Sequence, residues 1–127
     1  MNNVRKWLER VDYDMDTAEA MLRTGRNIYT VFMCQQAIEK CFKALITYLG
    51  GDVLPIHNLR RLAELSEVKD LFDRDQLLKL DFLSQYYITA RYKEDIAELS
   101  RGITEEFSRD IIHFSKEMIG WIKQRMR

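Results

Sequence analysis

The sequence predicts an all-α fold: an antiparallel bundle of four long helices plus one short helix, in a single domain over residues 1–127. Three observations lead there. Apolar residues recur in steps of four and three over four separate stretches, which is the spacing of a helix face. There is one proline, Pro55, and five glycines, of which Gly25, Gly50 and Gly51 fall between those stretches. The 127 residues, 46% apolar and 31% charged, suffice for one hydrophobic core and not comfortably for two.

The first helix carries Val4, Leu8, Val11, Met15, Ala18 and Leu22 on one line and stops at Gly25. A second runs from about Asn27 to Leu49 and ends at Gly50 and Gly51. The segment GGDVLPIH is a loop, after which Asn58 caps a short helix bearing Leu59, Leu62 and Ala63. Asp73 or Asp75 starts the next long helix, through Leu77, Leu80, Leu83 and Tyr87. The stretch ARYKEDIAELSRG is a loop or a frayed helix end. The last helix sets Phe107, Ile111, Phe114, Met118 and Trp121 on one line. No internal repeat or low-complexity segment interrupts this order.

Twenty basic and twenty acidic side chains cancel. Neutrality argues against a strongly electrostatic binder of nucleic acid or membranes, while a local basic patch stays compatible with it. Cys34 and Cys41 are two turns apart on one helix face, with Cα atoms roughly 10 Å apart, too far for a disulfide. They are expected to be buried, reduced thiols of a cytosolic protein. The N-terminal MNNVRKWLERVDYDMD lacks the apolar stretch of a signal peptide, and no run of 18 apolar residues occurs. The expectation is a cytoplasmic protein with no membrane partner.

Most of the chemistry lies in CQQAIEKCFKALI, residues 34–46. Val31, Gln35, Ile38, Phe42, Leu45 and Leu49 form one stripe. Cys34, Ala37, Cys41, Ala44 and Tyr48 form a second, mostly of small side chains that let a neighbouring helix come close. A helix with two such stripes is buried over a wide arc and is expected to be central, and its surplus of apolar surface predicts a homodimer. A third line holds Met33, Gln36, Lys40, Lys43 and Thr47, with Glu39 beside it. Glu39 and Lys43 are an i,i+4 pair worth about 0.3 kcal/mol on a solvated face. Gln35, however, stands on the apolar stripe, and a buried glutamine needs partners, so a polar cleft or interface is expected along this helix. Gln36, Lys40 and Lys43 share one line two turns long, a mix that can hold an anion and orient it.

Trp7 and Ala18 in the first helix, then QQAIEKCFKALI, then His57-Asn58-Leu59, then Ala90-Arg91-Tyr92 together resemble the HEPN domain family (higher eukaryote and prokaryote nucleotide-binding). The most specific part is Gln-Ala-x-Glu-Lys-x-x-Lys-Ala, Gln36 to Ala44. The resemblance implies a helical bundle, commonly a dimer, often encoded in prokaryotes beside a minimal nucleotidyltransferase as a two-component or toxin–antitoxin pair. It adds Arg91 and Tyr92 to the ligand-binding set of Gln36, Lys40 and Lys43, as a fork for phosphate and a surface for stacking. Other members are metal-independent endoribonucleases with an Arg-x(4–6)-His motif, in which arginine holds the phosphate and histidine moves the 2′-hydroxyl proton. That motif is not intact here. Arg91 is followed by Ile96, Ala97 and Glu98 where the histidine belongs, and Arg109 and His113 have only three residues between them. Arg109 and His113 are the catalytic candidates that remain, expected as an exposed pair on the last helix.

No cofactor and no metal is expected. Neither His57 nor His113 has a glutamate three residues before it, as a di-iron bundle requires; Leu54 and Asp110 stand there. Gly50-Gly51 lacks the Lys-Ser or Lys-Thr of a phosphate loop. His57 is expected to cap or brace the short helix, Cys34 to be a core thiol, and Tyr86, Tyr87 and Tyr92 to pack with their hydroxyls at the rim or to stack on a base. The leading reading is a nucleotide- or RNA-binding helical module, acting as a homodimer with a minimal nucleotidyltransferase. The alternatives are a metal-independent endoribonuclease toxin and a purely structural helical adaptor.

Overall fold

A helix that is apolar on two stripes has to be surrounded, and the arrangement of the chain follows from that. The computed structural model describes residues 2–89 and 101–127; Arg91, Tyr92 and most of the ambiguous ARYKEDIAELSRG stretch lie outside them. The elements are α1 (Asn2–Arg23), α2 (Asn27–Tyr48), the short α3 (Leu59–Leu65), a 3-10 turn (Lys69–Leu71), α4 (Arg74–Thr89) and α5 (Glu105–Gln124). Among the described residues, four long helices and one short one match the expected architecture.

The helix ends are set by short-range chemistry. Gly25 and Gly50 take positive φ of 76° and 84° just past α1 and α2, the left-handed stop that glycine adopts without a Cβ clash. Asn58 Oδ1 accepts the Arg61 N–H at 2.9 Å and starts α3. Asp73, not Asp75, starts α4: its Oδ1 accepts the Gln76 N–H at 2.8 Å while Gln76 Oε1 accepts the Asp73 N–H at 2.9 Å. This reciprocal pair satisfies two orphan donors at once. Thr104 Oγ1 accepts the Phe107 N–H and starts α5.

Cross-helix contacts give the directions. Lys40 reaches Asp14, so α1 and α2 lie side by side. Asp12 meets Lys123 and Glu19 meets Lys116, so α1 and α5 are antiparallel. The Cys41 thiol faces the Ile119 carbonyl and Tyr48 reaches that of Arg127, so α2 and α5 run the same way. Phe32 stacks near Tyr87 and Phe42 near Phe72, which sets α4 antiparallel to α2.

Helix α2 is the hub, packing against α1, α3, α4 and α5. Val31, Cys34, Ala37, Ile38, Cys41, Phe42 and Ala44 are fully buried. Both apolar stripes are therefore covered within one chain, and the exposed apolar surplus that motivated a dimer is not there; among the stripe residues only Tyr48 and Leu49, at the C-terminal end, are exposed. On the small stripe Cys34 meets Ser115 of α5 and Cys41 the Ile119 carbonyl, and Ser108 and Ser115 are both fully buried. Burial pushes the Cys34 thiol up to about 11 and the Cys41 thiol up to about 12, so both stay protonated and unreactive at neutral pH.

One detail of α5 differs from its expected line. Its deepest residues are Ser108, Ile111, Ile112, Ser115, Met118, Ile119 and Ile122, whereas Phe107, Phe114 and Trp121 are only half-buried. The seam against α2 accepts small side chains. The aromatics turn toward α4 and the 3-10 turn instead, where Phe107 meets Phe82 at 5.3 Å and Trp121 meets Phe72 at 4.9 Å between ring centroids.

Phe42 sits at the centre of this packing. Phe42→Ala should lower the unfolding free energy by about 3–5 kcal/mol. In urea, the midpoint should fall with little change in slope.

Candidate functional site

Glu39 is a carboxylate in the middle of the central helix with 4% of its surface exposed. An isolated charge cannot be buried so deeply without partners, and Glu39 has three. Gln35, one turn earlier and fully buried, donates from Nε2 to Glu39 Oε1 at 3.0 Å. Lys43, one turn later and 6% exposed, donates from Nζ to Glu39 Oε2 at 2.9 Å. His57, from the loop before α3, places Nδ1 at 3.1 Å from both carboxylate oxygens. The glutamine that required partners has a full set: its Nε2 also donates to the His57 carbonyl at 3.2 Å, and its Oε1 accepts from Gln36 Nε2 at 2.7 Å.

A carboxylate only accepts, so Nδ1 of His57 carries the hydrogen, and Nε2 of the neutral ring is left as an acceptor. The ring is held flat against Tyr87, with centroids 3.7 Å apart and planes 15° apart. Tyr87 also stacks near Phe32 at 6.5 Å. The imidazole side chain keeps 37% of its surface exposed. Asn58 caps α3, while the loop histidine beside it, expected to cap or brace the short helix, is instead held by Glu39 of α2 and Tyr87 of α4. It is also an oriented imidazole whose second nitrogen can accept a proton or a hydrogen bond.

The residues expected to form the site are not all brought together. Gln36 is half-buried and joins the cluster through Gln35. Lys43 lies inside it, so the Glu39–Lys43 pair is a buried ion pair rather than the weak solvated one that spacing suggested. Lys40 turns the other way, to Asp14 of α1 at 2.5 Å, where the Asp14 side chain is 7% exposed. Both lysines are thus balanced by carboxylates. Arg91 and Tyr92 lie outside the described residues. Arg109 and His113 are exposed and point along α5 to separate partners, Glu105 at 3.5 Å and Glu117 at 3.2 Å. They are not drawn together into an arginine–histidine site within one chain.

Sequence reading left Glu39 and Asp14 out of the site, gave His57 to the short helix before a binding role, and named Tyr87 only as packing or as a surface for stacking on a base. The repeat Gln35, Glu39, Lys43 at intervals of four was the available signal, because it places three hydrogen-bonding groups on one line beside Phe42. His57, Tyr87 and Asp14 had no such signal; they arrive from other segments.

A second concavity runs between α4 and α5. It encloses about 500 Å³ and is lined by Leu78, Phe82, Phe107, Ile111 and Phe114, with Lys79, Asp110, His113 and Glu117 at its edge. Leu78 is 51% exposed there. Among the described residues no three or more His, Cys, Asp and Glu side chains gather as metal ligands. No described helix is long and apolar enough to cross a membrane.

The fold and site are those of a helical bundle whose central helix carries a buried Gln-Glu-Lys strip, closed by a histidine from the following loop. The HEPN domain model matches residues 4–125, and the chain belongs to the HEPN domain family. Two solved structures share the fold. TT1696 from Thermus thermophilus is 23% identical with a TM-score of 0.81, over 98% of this chain and 99% of that one. ST0689, an archaeal HEPN homologue, is 20% identical with a TM-score of 0.75, over 98% of each chain. At these identities the likeness is one of fold. No curated protein matches the chain.

Glu39→Gln keeps the size of the side chain but leaves the Lys43 ammonium buried without a counter-charge. It should cost about 3–5 kcal/mol, and the double variant Glu39→Leu/Lys43→Met should cost less than Glu39→Gln alone. Chemical denaturation of both proteins checks this order.

Proposed function

We propose that this HEPN-family chain is a nucleotide- or RNA-binding helical module of the cytoplasm. It acts as a homodimer together with a minimal nucleotidyltransferase, as a two-component or toxin–antitoxin pair. The observation that carries the reading is the Gln35–Glu39–Lys43–His57 cluster. A buried ion pair is commonly no more stable than apolar side chains of the same volume. Its presence at the centre of the core helix therefore supports a role other than holding the fold. The half-exposed His57 ring, stacked on Tyr87, offers a flat surface and a free acceptor nitrogen, which suits a base or ribose. Gln36, Lys40 and Lys43 of the same helix, with Arg91 and Tyr92, complete the proposed ligand set. The homodimer is supported by the apolar groove between α4 and α5, whose exposed Leu78 and half-buried phenylalanines form the kind of patch that marks an interface.

Isolation from native cells, with mass analysis of whatever is bound, is the direct test. The expected result is a co-purifying nucleotidyltransferase, nucleotide or RNA. Absence of any partner, and no binding of nucleotides or short RNA in titrations, would leave the structural-adaptor reading. Cleavage of RNA that His113→Ala abolishes would favour the endoribonuclease instead.

Two further outcomes are expected. His57→Gln should weaken nucleotide or RNA binding at least about tenfold, the loss of one good hydrogen bond and a stacking surface, in calorimetric titration. Light scattering should give twice the chain mass of 15.2 kDa at micromolar concentration.

A further inference from the structure

The two lysines of the α2 line are neutralised, by Asp14 and Glu39. Farther along the same line the charge balance changes. Thr47 is one turn beyond Lys43, and about 10 Å beyond Lys40 at 1.5 Å per residue. It forms one wall of a concavity of about 360 Å³ between the start of α1 and the loop after α2. Asn3, Lys6, Trp7 and Arg10 line the α1 side, and Gly51, Asp52 and Val53 the loop side.

Three features set this concavity apart. Among the described residues neither Lys6 nor Arg10 has a carboxylate partner, whereas Lys40, Lys43, Arg60, Lys79, Lys116 and Lys123 each do. The Arg10 guanidinium stands 5.2 Å over the ring of half-buried Trp7, so a cation and a large flat surface come as one unit. The end of α5 comes to the same end of the bundle, since Tyr48 donates to the Arg127 carbonyl at 3.4 Å, and it brings Arg125 and Arg127 with it. The chain is neutral overall, but the lining of this concavity holds two cations, Lys6 and Arg10, against one carboxylate, Asp52.

We propose that this concavity is a subsite for one nucleotide unit. On binding, Arg10 turns from the Trp7 ring to the phosphate, which lies between it and Lys6; the base takes the indole face that Arg10 covers in the free protein, and Asp52 accepts hydrogen bonds from a base amino group or a ribose hydroxyl. The inference rests on the nucleotide- or RNA-binding reading above and adds to it an electrostatic contact at the end of the bundle. Indole stacking together with unpaired cations is the combination by which single-stranded nucleic acids are held. A free mononucleotide presents the same chemistry, and the test separates the two.

Trp121→Phe leaves Trp7 as the sole indole. This protein is titrated with AMP and with an eight-nucleotide single-stranded RNA while its emission is recorded. The affinity of the same ligands is measured for wild type and for Lys6→Gln/Arg10→Gln, whose helical circular dichroism is checked against wild type. The expected result is quenched Trp7 emission and affinity at least tenfold weaker in the double variant. For RNA, the salt dependence of binding should also be shallower by roughly 0.7 in log–log slope, the contribution of one phosphate contact. A response to RNA alone identifies a polynucleotide subsite, and a response to AMP alone a mononucleotide one. Equal affinity of wild type and the double variant overturns this subsite while leaving the broader reading intact. Failure of the wild type to bind either ligand overturns both.

Discussion

The buried carboxylate of Glu39 constrains more of this structure than any other side chain. It lies on the helix that every other element packs against, and desolvating it is tolerable only because Gln35, Lys43 and His57 all turn toward it. The first two are fixed by the helix itself. The third ties a distant segment to α2. Once His57 is held, Asn58 follows as the cap of α3, the Leu59 N–H meets Ser84 Oγ of α4 at 2.9 Å, and Arg60 forks onto Asp81 of α4 at 3.0 and 2.7 Å. Tyr87 of α4 then lies flat on the imidazole. The placement of α3 and α4 against the hub thus runs through one acidic group.

The opposite side of α2 works by size rather than charge. Cys34 faces Ser115 of α5 and Cys41 the Ile119 carbonyl, on a stripe of small side chains that are fully buried. The aromatic residues of α5 have no room there and bridge sideways to Phe82 and Phe72. These bridges leave a groove between α4 and α5 that is apolar without being filled. A helix with a charged strip on one side and a close seam on the other can be surrounded completely, which is why its two apolar stripes leave so little surface exposed.

Net charge conceals how the ions are distributed. Along the middle of the bundle the lysines are matched to carboxylates, across helices for Lys40, Lys116 and Lys123 and within α2 for Lys43. A cation already held by a buried carboxylate has to exchange that partner, or share it, before it holds a phosphate. Among the described residues, Lys6 and Arg10 have no such carboxylate, and they line the concavity where α1 begins and α2 finishes. A protein with no net charge can in this way still present a local electropositive surface.

The sequence by itself determined the element order, the stops at Gly25 and Gly50, the Asn58 cap, the centrality of the helix around residues 34–46 and the need of Gln35 for partners. All of these depend on neighbours within about one turn, or on the periodicity of a single helix. It also carried the family, because that signature lies in one contiguous run and two short motifs. Tertiary structure alone decided that Glu39–Lys43 is buried, that Lys40 belongs to Asp14, that His57 orients on Glu39 and Tyr87, and that Arg109 and His113 keep to separate glutamates. It also turned the aromatics of α5 away from the core. Helical periodicity names the residues on a line but not what lies opposite. The strength of an ion pair and the role of an imidazole depend on the local dielectric and on partners from segments 18 to 30 residues away, and those are fixed only when the helices pack.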